Sequence, residues 1–240
     1  MKNILIAGVL GFGLAGCAEN KTGLQKNVIN TAFDTCQTYL SGGLKSPSSL
    51  RINNAKATVK QPHLNDIDNV FGNTIVKDKA VSKTVRDNKS RYREMLMVIN
   101  YEAQNSYGVY LAGAYQCKYL YELNNKETSP KPLNMYLIGL NSDGAKVDLM
   151  GIHIPLSEFK GSNLFLNKHI KTTESSVDSS FSKKDEHTYA AIIEKREAKE
   201  REIEERKSKR SSGEIDLAEI ISSAEAAADA AAEVAKSISE

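Results

Sequence analysis

Two stretches of sequence decide the fold: Arg93–Glu102 (REMLMVINYE) and Val109–Glu122 (VYLAGAYQCKYLYE). Both are rich in β-branched, aromatic and other apolar residues, which is typical of strands. The residues between them, Ala103–Gly108 (AQNSYG), have the polar and glycine content of a turn. Together they predict a pair of long strands joined by a tight connection.

The second of these strands has a distinctly apolar face. Period-two alternation places Cys117 on the same face as Tyr115, Tyr119 and Tyr121. A tyrosine cluster could form a binding platform, but it is more often the core and rim of a sheet. We therefore expect this face to be buried.

A helix is predicted from Leu24 to Leu40, because apolar residues recur there at helical spacing. Cys36 lies on the apolar stripe of this helix together with Phe33, so it faces the core. The sequence Ser41-Gly42-Gly43 follows and is typical of a helix end.

Further strands are predicted on both sides of the central pair. Leu50–Val59 alternates after the turn at Lys45-Ser46-Pro47-Ser48-Ser49. Asn134–Leu140 and Lys146–Ile154 are predicted to form a hairpin, because Asp-Gly in the intervening turn, Asn141-Ser142-Asp143-Gly144, is a strong hairpin signal.

These elements predict an α+β domain over residues 24–171, with one helix packed on an antiparallel sheet. Residues 61–90 are mostly polar and lack a long period, so they are interpreted as an insertion or long excursion. Residues 156–170 carry a weaker pattern, which fits an edge strand or irregular packing.

The composition changes after residue 172. Residues 172–182 are rich in Ser and Thr and are predicted to be a linker. Residues 183–210 are predicted to form a helix dominated by charge, supported by pairs such as Glu197 with Arg201. A helix that is polar all round is expected to be a rod or spacer.

Residues 211–240 are predicted to form an Ala-rich amphipathic helix. Its apolar residues alternate four and three apart, which is the spacing of a helix–helix seam: Leu217, Ile221, Ala224, Ala228, Ala231, Ala235 and Ile238. These side chains are small, so self-association through the seam alone is expected to be weak. A solvated helix, or one folded back on the domain, fits the same pattern.

Composition argues against several classes of protein. Three cysteines, no tryptophan and a net charge of +2 over 240 residues do not fit a disulfide-dense mini-protein, a strongly basic nucleic-acid binder or a multi-span membrane protein. The charge is unevenly distributed, at +5 over residues 18–182, +2 over residues 183–210 and −6 over residues 211–240. We therefore expect no nucleic-acid partner.

The N-terminus has the pattern of a secretory signal peptide. Lys2 precedes an apolar run, Ile4–Leu14, that is too short for a permanent membrane span. The following sequence, Leu14-Ala15-Gly16-Cys17, resembles the lipobox of bacterial lipoproteins. The resemblance implies removal of residues 1–16, a lipid on Cys17 as the membrane anchor, and residues 17–23 as a short tether. An ordinary cleaved signal with an incidental cysteine is the alternative.

The residues after Cys17 bear on location within the envelope. Ala18-Glu19-Asn20 has no Asp in the second position. In lipoproteins of the enterobacterial type this pattern implies the outer membrane, and we expect the domain on its periplasmic face rather than on the cell surface.

Cys36 and Cys117 remain once the lipidated cysteine is set aside. An oxidising compartment and an even number of remaining cysteines predict one disulfide between them. This bridge would link the first helix to the sheet. Two buried, unpaired thiols are the alternative.

Residues 25–122 also resemble small exported bacterial proteins of uncharacterised function. The resemblance rests on the cysteine helix, the turns at Lys45–Ser49 and Asn105–Gly108, and the sequence Cys117-Lys118-Tyr119. It implies an architecture and no activity.

The sequence contains no recognisable enzymatic or cofactor motif. The four histidines, His63, His153, His169 and His187, are scattered and lack the spacing of a zinc site. Asp66-Ile67-Asp68-Asn69 only faintly matches a calcium loop, because Lys77 stands where a bidentate Glu is needed. We expect no catalytic residues, no metal and no cofactor.

A basic segment between residues 77 and 93 is the remaining candidate for binding an anionic partner. Seven cations face Asp78 and Asp87 there: Lys77, Lys79, Lys83, Arg86, Lys89, Arg91 and Arg93. A solvated, charged loop is the alternative.

Three functions are compatible with these patterns. The leading hypothesis is a non-enzymatic structural or interaction component of a membrane-associated assembly, which recruits a protein partner through its C-terminal helices. The second is a surface-exposed binding or exclusion factor that uses residues 77–93. The third is an envelope hydrolase with unfamiliar catalytic residues.

Overall fold

The computed structural model describes residues 22–160, 170–175 and 177–211. The helices in these ranges are α1 (Lys26–Gly43), α2 (Leu64–Ile75), α3 (Lys83–Asp87) and α4 (Lys183–Ser211), with a 3-10 turn at Pro47–Ser49. The strands are β1 (Arg51–Lys60), β2 (Val76–Lys77), β3 (Ala80–Val81), β4 (Arg91–Gln104), β5 (Tyr110–Leu123), β6 (Met135–Ser142), β7 (Ala145–Val147), β8 (Ile154–Pro155) and β9 (Ile170–Ser175). The α+β class predicted from the sequence is confirmed.

The main sheet is built around β4 and β5, which pair antiparallel from Arg91↔Leu123 to Gln104↔Tyr110. The strand order is β7-β6-β5-β4-β1-β9, and β8 pairs with β6. The connection between β4 and β5 is short, as predicted, so their register is fixed by local sequence. The short β2 and β3 form a separate hairpin.

The sheet is not purely antiparallel. β9 pairs in parallel with β1, with Ala57 opposite Thr173. The prediction of a linker over residues 172–182 is therefore wrong in its first part, because Thr and Ser also suit an edge strand. β-branched Thr172 and Thr173 fit a pleated backbone as well as they fit a loop.

One face of the sheet packs against α1. Met95, Met97 and Ile99 of β4 lie there with Tyr119 of β5, opposite Phe33 of α1. The Tyr119 hydroxyl donates a hydrogen bond to the Ala32 carbonyl oxygen at 2.6 Å. The tyrosine face of β5 is thus buried, in agreement with the sequence pattern.

The predicted disulfide is present between α1 and β5. Cys36 and Cys117 are bonded, with their Cα atoms 5.8 Å apart, and both residues are fully buried. The bridge lies inside the core that α1 forms with the sheet.

The opposite face of the sheet is covered by a second apolar cluster. Phe71 of α2 stacks at 4.9 Å between ring centroids on Tyr92 of β4, and Ile67, Ile75 and Val85 complete the layer. The interpretation of residues 61–90 as an excursion is therefore corrected. The segment folds into α2, the β2–β3 hairpin and α3. Its apolar residues are too few among the polar ones to give a clear helix or strand period in the sequence.

The first half of α4 is part of the same layer. Tyr189 and Ile192 are buried against α2 and β4, and the Tyr189 hydroxyl donates to the Ser90 carbonyl oxygen. The expectation of a free rod from residue 183 onward is therefore wrong for its N-terminal turns. The many charges of the helix mask a short apolar contact at Tyr189 and Ile192, which lie three residues apart and so share one face.

From Ala198 to Lys209 every side chain is exposed. These residues extend α4 beyond its contacts with α2, in agreement with the predicted charged helix. No described helix is both long enough and apolar enough to cross a membrane.

Candidate functional site

The basic segment does not form one continuous surface. Lys77, Lys79, Lys83, Arg86 and Lys89 are exposed on the β2–β3 hairpin and around α3. Lys79 is engaged in an ion pair with Glu200 of α4 at 3.2 Å. Arg91 and Arg93 belong to β4 and are buried, so their inclusion in an anion-binding patch is corrected.

Arg93 anchors the C-terminal helix to the sheet. It is 2% exposed, and its guanidinium pairs with both carboxylate oxygens of Asp185 at 2.6 and 3.1 Å. It also donates to the carbonyl oxygens of Tyr92, Asp178 and Ser180. Every guanidinium nitrogen has a partner, which is how a buried charge becomes tolerable.

Asp185 also closes the start of α4. Its carboxylate accepts hydrogen bonds from the Ser182 amide at 2.9 Å and the Ser182 hydroxyl at 2.8 Å. This is the reciprocal part of a capping box, in which an acidic residue three positions into the helix binds the N-cap. The Arg93–Asp185 pair, the docking clamp, therefore fixes both the position and the first turn of α4.

Arg91 of β4 binds two segments beside the docking clamp: the loop that follows β5 and the residues just before α4. Its guanidinium donates to the carbonyl oxygens of Asn125 at 2.7 Å and Glu127 at 3.0 Å, and to that of Ser179. Both arginines occupy the same alternation as Met95 and Met97. The alternation of side chains along β4 therefore indicates that both arginines face inward, but their positive charge suggested exposed residues.

A second ionic contact holds α4 to α2. Asp68 accepts from Lys195 Nζ at 2.8 Å and from Arg196 Nε at 2.6 Å. Burial opposes the ionisation of Asp68, but the two cations outweigh it and hold the pKa of Asp68 below its ordinary value. Gly72 makes room for this contact, because a Cβ there would overlap the Arg196 guanidinium.

Lys118 of β5 lies in a cluster of opposite charges. Its Nζ lies 2.7 Å from Asp66 and 3.4 Å from Glu94, which also pairs with Lys60 at 3.1 Å. Burial lowers the pKa of Lys118, but Asp66 and Glu94 outweigh it and the pKa is raised. The two carboxylates therefore favour the protonated form of the amine.

An apolar groove opens at the end of the sheet that carries the β4–β5 connection. It has a volume of about 610 Å³ and lies between the end of α1, strand β5 and the β6–β7 turn. Its walls include Tyr39, Leu44, Leu111, Tyr115 and Val147. The size is that of a ligand pocket, but the groove is open on one side.

The strand edge beside this groove is unpaired among the residues that the structure describes. β6 pairs with β5 only from Tyr115 to Tyr121, whereas β4 pairs with it up to Tyr110. Asp143 closes the paired part, accepting from the Ala114 amide at 2.7 Å and donating its own amide to the Ala114 carbonyl oxygen at 2.9 Å. Beyond Ala114 one edge of β5 is open.

Four exposed apolar side chains lie at the groove and the edge. Tyr107 is 91% exposed and Leu111 is 54% exposed, with Val109 and Tyr110 beside them. The alternation of this strand is visible in the sequence, but its open end is not, because that end depends on where β6 stops pairing with β5. The signal available was that residues 103–117 contain no charged residue.

The other residues that the sequence singled out do not form a further site among the described residues. Within the described ranges no group of three or more His, Cys, Asp or Glu residues could hold a metal ion. His63 serves as the N-cap of α2, where its Nδ1 accepts from the Asn65 amide. Cys17, with the predicted signal peptide and residues 17–21 of the predicted tether, and the predicted seam from Leu217 to Ile238 lie outside the described residues. Thr22 and Gly23, the last two residues of the predicted tether, are described and buried in the domain.

Comparison with known proteins gives no relative from which a function could be transferred. No family model matches the sequence. No curated protein and no solved structure is significantly similar to the chain.

Proposed function

We propose that this chain is a lipid-anchored protein of the bacterial envelope whose disulfide-linked domain is a non-enzymatic interaction module. The observation that carries the proposal is Leu14-Ala15-Gly16-Cys17 behind an apolar run of signal-peptide length. The Cys36–Cys117 bridge supports it, because disulfides persist in exported proteins and are rare in the cytosol. Lipid on Cys17 would supply the membrane anchor, with the outer membrane as the proposed location.

The short distance between anchor and domain is part of the proposal. Thr22 is the first described residue, and its carbonyl oxygen accepts from the buried Tyr121 hydroxyl at 2.5 Å. The chain from Cys17 to Thr22 reaches at most about 18 Å when fully extended. The end of the domain that holds Tyr121 would therefore stay close to the lipid surface.

The C-terminal helices are the proposed contact with a protein partner. The docking clamp fixes the start of α4, and the exposed part from Ala198 to Lys209 is about 18 Å long at helical rise. Ile203 is 42% exposed there, an apolar side chain among charged ones. A rigidly attached, exposed helix suits a recruiting role, and the proposal includes the amphipathic helix that the sequence predicts over residues 211–240.

Site-specific photo-crosslinking in intact bacteria tests this role. A photoreactive residue at Ile203 is expected to capture a defined protein partner, whereas the same residue at Lys83, in the basic segment, serves as the matched control. Capture at Lys83 and not at Ile203 would contradict the proposal and favour the basic segment as the binding surface.

A second experiment tests the anchor independently. Cys17→Ala is expected to leave the precursor unprocessed and larger than the mature protein on a denaturing gel. Normal processing of the Cys17→Ala chain would contradict the lipid anchor without bearing on the partner.

A further inference from the structure

The open edge of β5 presents its polar backbone groups in a fixed pattern. The amide and carbonyl of Ala114 point away from β4, since both are bonded to Asp143. Backbone groups in a strand alternate in direction, so those of Ala112 and Tyr110 point the same way. Neither residue has a strand partner on that side within the described part of the chain.

This edge lacks the features by which proteins block strand pairing. Natural edge strands carry charges, prolines or bulges that prevent association. Residues 103–117 contain no charged residue and no proline, and the β4–β5 register is continuous to Tyr110. Tyr110, Leu111 and Ala112 are all exposed.

We propose that this edge pairs with the same edge of a second copy of the chain, in an antiparallel and symmetric arrangement centred on Leu111. The outward groups of Tyr110 and Ala112 flank Leu111 symmetrically. In antiparallel register each Tyr110 therefore lies opposite the other copy's Ala112, and all the outward amides and carbonyls of both copies find partners. A two-fold interface of this kind is self-complementary by construction.

Gly108 and Asp143 limit the length of strand that can pair. Gly108, with φ +76°, turns the chain out of the strand direction before Val109. Asp143 occupies the edge at Ala114. The strand segment available for pairing is therefore residues 109–113 in both copies.

Side-chain chemistry favours a second copy over a charged partner. Leu111 lines the apolar groove, so pairing would bring the two Leu111 side chains together at the groove mouth and cover both. On the other face Tyr110, over which Arg51 stacks at 4.1 Å, would lie opposite Ala112, so no like charges meet. An interface of five residues per copy is smaller than that of a stable complex, so the dimer should depend on concentration.

Cysteine crosslinking tests the predicted register. In the proposed register the two copies of Leu111 form a directly opposed pair without backbone hydrogen bonds between them. The Cα atoms of such a pair are about 4.5 Å apart, a distance that a disulfide can bridge. Leu111→Cys is therefore expected to give a covalent dimer under mild oxidation. Ala112→Cys, the neighbouring control, is expected to crosslink at least tenfold less, because the two copies of residue 112 are separated by about 8 Å.

The experiment uses the full-length chain in detergent with Cys17→Ala as the background, so its result does not depend on lipidation. The Leu111→Cys and Ala112→Cys chains are oxidised in parallel and compared on a non-reducing gel. Equal crosslinking at both positions, or none at either, would overturn the proposal.

A second variant separates this interface from the other routes to association. Leu111→Glu places two like charges opposite each other and, since Leu111 is exposed, is expected to leave the fold intact. It should weaken dimerisation at least tenfold in sedimentation equilibrium. An unchanged dimer, with association lost only when residues 212–240 are removed, would assign self-association to the tail and refute the edge pairing.

Discussion

The docking clamp gives the most specific prediction about stability. Asp185→Ala removes the carboxylate that pairs with Arg93 and leaves that guanidinium buried without its charged partner. Breaking a buried ion pair from one side costs about 3–5 kcal/mol, and loss of the Ser182 cap adds about 1 kcal/mol. Because the apolar contact of α4 with the body is limited to Tyr189 and Ile192, the chain can avoid much of this cost by releasing the helix.

The expected result is therefore local opening of α4. The lower end of this cost, about 4 kcal/mol, corresponds to roughly a 700-fold loss of protection, at about 1.4 kcal/mol per factor of ten. Hydrogen exchange followed by mass spectrometry measures this directly for amides between Tyr189 and Arg196. The strands β4 and β5 should keep their protection.

Two controls define what the result means. Glu200→Ala removes an exposed ion pair with Lys79 on the same helix and should change protection by less than about threefold, because exposed pairs contribute little. Replacing both clamp residues, with Arg93→Met and Asp185→Leu, should recover the part of the loss that comes from the unpaired charge, because neither position is then charged. If Asp185→Ala leaves α4 as protected as Glu200→Ala does, the clamp does not hold the helix.

Three further predictions concern the core. Replacing Cys36 and Cys117 together by Ala should lower the free energy of unfolding in urea by about 4 kcal/mol, from closure of a loop with a sequence separation of 81, and an effect below 1 kcal/mol would contradict this. Tyr92→Phe should raise the midpoint of thermal unfolding and increase the free energy of unfolding by about 1 kcal/mol, because the buried Tyr92 hydroxyl has no hydrogen-bond partner among the described residues. A lower midpoint would show that this hydroxyl does form a hydrogen bond in the folded protein. Burial raises the pKa of Glu122, with Glu127 acting in the same direction and Ser90 opposing. A carboxyl group whose pKa is raised in the folded protein destabilises the fold at neutral pH but not at a pH below its ordinary pKa. Glu122→Gln should therefore increase the free energy of unfolding at pH 7 and have no such effect in acid. Urea unfolding at neutral and at acidic pH measures this, and stabilisation only in acid would contradict the prediction.

The parts of the fold that depend on local periodicity were predictable from the sequence. The apolar stripe of α1 and the alternation of β5 placed Cys36 and Cys117 on facing surfaces, and the structure joins them. The Asp143-Gly144 signal located the β6–β7 hairpin in the same way. These features are set by contacts between residues close in sequence or by a single repeating period.

The parts that depend on distant partners were not predictable. Burial of Arg93 requires Asp185, which is 92 residues away, and neither residue suggests the other. β9 pairs with β1 across more than a hundred residues, so a Ser- and Thr-rich strand was interpreted as a linker. The open edge of β5 exists only because β6 ends its pairing at Tyr115, which no pattern within β5 could indicate.

The central claim is that the protein is anchored by lipid at Cys17. Intact mass spectrometry of the N-terminal peptide, from protein extracted from bacterial membranes, tests it directly. We predict a chain that begins at Cys17 and carries the added mass of a diacylglyceryl group on its sulfur. A mature chain that begins at another residue, or an unmodified Cys17, would contradict the account.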